Sequence, residues 1–202
     1  MKEKFLEISI NRIRKKYPDY DEEKIEIIQY GLDALYITIT KTTVIFALAL
    51  ILGVFKEVFL ILLLYSVIRT TAFGMHAKKS SHCYILSSFL FIGMGLLCKY
   101  TDINIYVKCV IATISFITLI IYAPADTYKR PLVNAKKRKI YKIITIINSL
   151  IYIVLIILFK DNVISDYLLM GLLDASLMIH PLTYRVFQLP YNNYKEYEAT
   201  SG

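Results

Sequence analysis

Residues 58–98 read "VFLILLLYSVIRTTAFGMHAKKSSHCYILSSFLFIGMGLLC". Two apolar runs enclose a short polar stretch, which predicts two helices that cross a hydrocarbon layer and return, with residues 69–83 at the turn. A hydrocarbon core of about 30 Å takes roughly 20 apolar residues as a helix. Scanned for such runs, the 202-residue chain gives six spans, near 34–54, 58–75, 83–98, 104–122, 140–159 and 163–182. Backbone groups in lipid must be bonded internally, and these runs lack the alternation of barrel strands. The predicted fold class is therefore all-α, a polytopic membrane protein with about six transmembrane helices. A chain that is 56% hydrophobic, with mean hydropathy +0.52, is too apolar for an ordinary soluble domain.

Ahead of the first span, Leu6, Ile10, Ile13 and Tyr17 fall at helical spacing among Lys2, Lys4, Arg12, Arg14, Lys15 and Lys16. That pattern predicts an N-terminal interfacial amphipathic helix on an anionic lipid surface; a solvated helix packed on protein is the alternative. No signal peptide is expected, because charges interrupt every apolar stretch in the first thirty residues. The acidic segment "DYDEEKIEIIQYGLDAL" leads into the first span. Residues 1–33 are thus the expected interfacial segment, 34–182 the helical membrane domain, and 183–202 a polar C-terminal tail, partly disordered.

Short loops rich in Lys and Arg stay in the cytoplasm. Lys78 and Lys79 mark the loop at 76–82, and Lys129, Arg130, Lys136, Lys137, Arg138 and Lys139 mark the loop at 123–139. The opposite loops hold only Lys56, Lys99 and Lys160, so the expectation is a multi-pass protein of the cell membrane with both termini and both basic loops cytoplasmic. The fourth loop, "APADTYKRPLVNAKKRKIYK", reads either as a topology signal with lipid-headgroup contacts or as a dock for an acidic peptide.

Three cysteines do not make a disulfide framework. Cys98 and Cys109 lie in or beside apolar runs and read as small packing residues. Cys83 stands seven residues after His76, and a cytoplasmic thiolate beside an imidazole is a nucleophile. Continuous helix would hold the two about 10.5 Å apart along its axis, so a dyad requires a break between them. Gly74 can end one helix, and Ser80 or Ser81 can cap the next, whose N-terminus would favour the thiolate. Packing residues, or a metal site from His76, His82 and Cys83, are the alternatives at this level. Arg69, near the end of an apolar run, is either a functional charge or a snorkelling one. His180 reads as an interface histidine or a helix-end partner.

The order Arg69, Gly74, His76, Ala77, Cys83, followed by "APADTYKRP" after the fourth span, resembles the accessory gene regulator B (AgrB) family of membrane cysteine endopeptidases. The resemblance covers nearly the whole chain. It implies that Cys83 is the nucleophile and His76 its general base, with Arg69 and Gly74 needed for the site's architecture, and that no cofactor or metal takes part. The implied substrate is a quorum-sensing propeptide with an amphipathic leader, a short core and an acidic C-terminal tail. The enzyme would remove the tail through an acyl-enzyme and promote closure of a thiolactone or lactone ring. Lys129, Arg130, Lys136 and Lys137 are the expected contacts to that tail. Anionic lipid and a second copy in a homodimer are the further partners implied, and nucleic acid is not. Many members carry paired glycines before the histidine, whereas here Phe73 precedes Gly74. Asp126 is the nearest carboxylate in a facing loop, and the balance is against its orienting the histidine. A membrane peptide transporter or exporter is the alternative function, although transport favours ionisable groups deep in several spans.

Overall fold

So apolar a chain satisfies its backbone inside helices, and the computed structural model is helical throughout its regular elements. It describes residues 2–75, 80–127 and 131–195, the side chains of 80–83 excepted. The helices in these residues are α1 (Lys2–Lys16), α2 (Glu22–Ile51), α3 (Phe55–Ala72), α4 (Ser80–Tyr100), α5 (Ile105–Tyr122), α6 (Ala135–Leu158), α7 (Ile164–Ile179) and α8 (Pro181–Val186). Their starts carry the caps that the sequence supplies. Asn104 Oδ1 accepts from Tyr106 N at 2.9 Å, and Asn134 Oδ1 from Lys137 N at 3.0 Å. His180 Nδ1 accepts from Leu182 N at 3.1 Å beside Pro181 at the first helical position, which makes it a helix-end partner.

The chain divides into two compact units, residues 1–47 and 48–202. In the first, α1 turns back on α2. Arg14 forks onto Glu22 at 2.7 and 2.8 Å, Lys2 meets Asp33 at 2.9 Å, and the Phe5 and Tyr36 rings lie 5.3 Å apart. Leu6 and Ile10 are buried, and Arg14, Lys15 and Lys16 form the last turn of α1. The acidic segment after residue 20 is the start of α2 itself, so the boundary expected at 33/34 falls inside a continuous helix.

In the second unit α7 is the axle. It packs on α3, α5 and α6, and more lightly on α4 and α8. From Ser165 to Leu172 every residue is buried, a pattern of the centre of a bundle rather than of a lipid-facing surface. Gly171 allows the close approach to α3: a Cβ there would stand 3.0 Å from Tyr65 N and 3.1 Å from Leu64 Cβ. Ile68, Ala72, Leu119, Tyr152, Leu169, Leu172, Ile179 and Tyr184 form the surrounding core.

Each predicted run coincides with a helix, α2 to α7. Among the described residues, three of these are long and apolar enough to cross a membrane, α2, α5 and α6. The described apolar part of α4, Tyr84–Tyr100, is shorter; α3 carries Lys56, Glu57 and Arg69; and α7 has 16 residues, placed in the interior. Beyond α7, Tyr184 and Asn193 are buried, and Phe187, Leu189 and Tyr191 pack against the core.

One interior feature lies outside the hydropathy pattern. Lys108, in the first turn of α5, and Asp166, in the first turn of α7, are 3% and 4% exposed and meet at 2.9 Å. The same ammonium donates to Ser165 Oγ at 2.6 Å and to Lys160 O at 3.2 Å. Lys108→Met should leave Asp166 charged and unpaired and cost about 3–5 kcal/mol, whereas Lys108→Met with Asp166→Leu should recover most of that loss. Thermal unfolding of the purified protein in detergent checks both.

Candidate active site

A helix that ends inside a protein strands its last carbonyls, and α3 meets this problem at the start of the polar stretch. It stops at Ala72, and Phe73 and Gly74 follow with φ of 56° and 118°. The Arg69 guanidinium folds forward over the gap. It donates to the carbonyl oxygens of Phe73, of Gly74 at 3.0 Å and of Met75 at 2.7 Å. A planar fork of five N–H groups can hold three carbonyls at once, which an ammonium cannot do in that geometry. Arg69 is therefore neither snorkelling nor aimed at solvent; it is the cap of the turn.

Two other segments complete the turn. Ala125 N donates to Ala72 O at 2.9 Å, and Gly74 N donates to Ala125 O at 2.8 Å, a short parallel bridge across Phe73. Met75 N donates to Met178 O at 3.0 Å, near the end of α7. Gly74 is needed for both reasons a glycine can be: its φ is positive, and a Cβ would run into the Arg69 guanidinium and stand 2.7 Å from Met178 O. Phe73 also takes a backbone that favours glycine, which answers the question raised by a phenylalanine at that place. Its ring is held edge-on to Tyr141, centroids 5.0 Å apart.

The next residue is His76. Residues 76–79 lie outside those described, as do the side chains of Ser80, Ser81, His82 and Cys83, so the His/Cys pair and the metal alternative at His82 are not tested by side-chain geometry. The backbone does place Cys83 in the first turn of α4, a helix separate from α3, which ends at Ala72 ahead of His76. Among the described residues no three His, Cys, Asp or Glu side chains gather as metal ligands. Cys98 is buried and Cys109 half-buried; neither is in a disulfide.

Asp126 is committed elsewhere. Its carboxylate, 3% exposed, accepts from Asn193 N at 2.9 Å, Asn193 Nδ2 at 3.2 Å, Tyr194 N at 2.8 Å and Leu132 N at 3.3 Å. Tyr184 Oη donates to the Asp126 carbonyl at 2.9 Å, and burial pushes that phenol well above its ordinary value, so it stays a neutral donor. Lys129 and Arg130 fall outside the described residues. Lys136, Lys137 and Lys139 are exposed in the first turns of α6. Arg138 turns the other way, donating to Leu132 O at 2.7 Å and Val133 O at 2.9 Å with its guanidinium 3.9 Å from the Tyr194 ring centroid. Sequence reading missed this strap and the Lys108–Asp166 pair; the adjacent Asn192 and Asn193 after an apolar helix were the available signal for the first.

The family model described as Accessory gene regulator B matches residues 7–183. An AgrB-like protein of Clostridium acetobutylicum is 31% identical over 182 residues, covering 88% of this chain and 86% of its own. An AgrB-like protein of Listeria monocytogenes is 29% identical over 98% of this chain and 96% of its own. The accessory gene regulator protein B of Staphylococcus carnosus is 36% identical over 55% of this chain and 59% of its own. No solved structure matches.

Gly74→Ala should cost about 2 kcal/mol or more, since a strained φ and a blocked Cβ act together. Arg69→Lys should destabilise as well, by leaving at least one of three inward carbonyls unbonded. A melting temperature equal to wild type for both variants would remove the turn from any account of the site.

Proposed function

We propose that this chain, which belongs to the accessory gene regulator B family, is a membrane cysteine endopeptidase that matures a quorum-sensing propeptide. The observation that carries the reading is the turn after α3. A half-buried arginine, a glycine at positive φ and hydrogen bonds from Gly74 N and Met75 N to Ala125 O and Met178 O fix the backbone as far as Met75, next to His76. Cys83 follows in the first turn of a new helix. Such a fixed lead-in to a histidine, and a cysteine at a helix start, is what a dyad at one membrane face requires.

In this scheme the Cys83 thiolate attacks the carbonyl before the propeptide's acidic tail, and the His76 imidazolium protonates the departing amine. The C–N bond breaks, a C–S bond forms, and the tail leaves with a free amine. A thiol or hydroxyl of the bound peptide then attacks the thioester and expels Cys83 as a thiolate, closing the ring. Free N–H groups in the first turn of α4 are suited to the oxyanion. Making a thioester from an amide is uphill, so exclusion of water and removal of the tail drive the step. Lys136 and Lys137, together with Lys129 and Arg130, supply positive charge for the acidic tail. All of α2–α7 would cross or enter the membrane, with both termini and this site at the cytoplasmic face and α1 on anionic lipid.

Transport would use buried charge along a path. The Lys108–Asp166 pair sits at the starts of two helices, with its ammonium also held by Ser165 and the Lys160 carbonyl, a lock rather than a conduit.

The test is intact-mass analysis of the protein in liposomes with a propeptide of amphipathic leader and acidic tail. Wild type should carry an adduct equal to the tail-less peptide on Cys83. His76→Ala and Cys83→Ala should abolish both adduct and processing, while Cys98→Ala and Cys109→Ala leave them near wild type; processing by Cys83→Ala defeats the mechanism. Lys136→Ala with Lys137→Ala should raise KM several-fold, on the order of 1 kcal/mol, and flatten its dependence on salt.

A further inference from the structure

The C-terminal residues are fastened to the turn that leads into His76 by a path two residues long. Ala125 spends its N–H on Ala72 O and its carbonyl on Gly74 N. Asp126, its neighbour, spends its carbonyl on Tyr184 and its carboxylate on the N–H groups of Leu132, Asn193 and Tyr194 and on the Asn193 amide. Among the described residues these partners include no cation. A buried carboxylate held by backbone N–H groups fixes the backbone that donates them, and it does so in both directions. Arg138 closes the strap from the other side, bonded to Leu132 O and Val133 O and stacked on Tyr194. Tyr191 packs edge-on to Tyr184 at 4.9 Å.

We infer that Asp126 is a positioning residue and that residues 190–195 are a working part of the site: the strap they form with Asp126 and Arg138 holds Ala125, and through it the Gly74–Met75 backbone, in the position from which His76 acts. It is an inward clasp on the chain's own backbone rather than a contact to substrate. This rests on the proposed function for its catalytic consequence, but its structural half is independent of any substrate.

Two variants separate the strap from the general stability of the bundle. Tyr194→Ala removes only the ring over Arg138. Tyr194→Pro removes the ring and the N–H that reaches Asp126 at 2.8 Å, at the chain end, where the helical core does not depend on it. Asp126→Asn, which keeps one carbonyl acceptor for four donors, is the third variant. Hydrogen exchange on the wild-type protein in liposomes should show Gly74 and Met75 amides protected. In Tyr194→Pro their exchange should rise about tenfold or more with a melting temperature near wild type, in Asp126→Asn as much but with a lowered melting temperature, and in Tyr194→Ala much less. Processing should lose about tenfold in kcat with KM held within about twofold, because the peptide's contacts remain while the base is misplaced. Trypsin cleavage after Lys195 reports release of the strap. If the strap is released and both exchange at Gly74 and kcat stay at wild-type values, the inference is overturned. If exchange rises but His76→Ala and Cys83→Ala process as wild type, the proposed chemistry fails and the positioning of the backbone stands.

Discussion

Three carbonyl oxygens in the turn just past the end of α3 have to be bonded somewhere, and one guanidinium bonds them. Everything near the site follows from that constraint. If Arg69 did not reach Phe73, Gly74 and Met75, these oxygens would face a protein interior without partners, at a cost of several kcal/mol together. Bonded, they turn the chain sharply away from the helix axis, which demands the positive φ at Phe73 and Gly74 and leaves no room for a Cβ at the second. The turn then offers its N–H groups to Ala125 and Met178, so α3, the loop after α5 and the end of α7 converge on one short piece of backbone.

The convergence works because α7 is at the centre. A short helix, buried without a break from Ser165 to Leu172, with Gly171 against α3 and Asp166 locked to Lys108, gives the surrounding helices a common partner. Dispersion packing holds its middle, since in lipid the burial of an apolar side chain gains little over leaving it in the hydrocarbon. Polar bonds hold its ends. The turn that leads into His76 lies where the second set of bonds meets α3.

Much of this was legible in the sequence. Apolar runs located α2–α7 because backbone bonding in an apolar phase leaves few choices. Arg69 and Gly74 stood out as a charge and a flexible residue where neither is cheap. Hydropathy could not show that α7 is enclosed, because lipid and protein core select the same side chains. Nor could it pair Lys108 with Asp166, which are joined by no local spacing. The Phe73 backbone was hidden by its side chain, which gives no sign of a conformation that glycine prefers. Residues 183–195 looked like a tail because their composition is polar, yet Asp126 binds mostly their N–H groups, which composition does not record. His76 and Cys83 remain the most specific part of the sequence.

In the run of four cations from 136 to 139, the residues divide their work in a way that bears on how the protein can change. Arg138 is a structural strut, bonded to the loop before it and laid on Tyr194, so replacing it disturbs the backbone near the site. Its neighbours Lys136, Lys137 and Lys139 stand exposed on α6 and hold nothing up. Charge at those three positions can be gained, lost or reversed with little effect on the fold. Under the proposed function, a lineage could therefore retune which acidic peptide it attracts by single substitutions, without passing through an unstable fold.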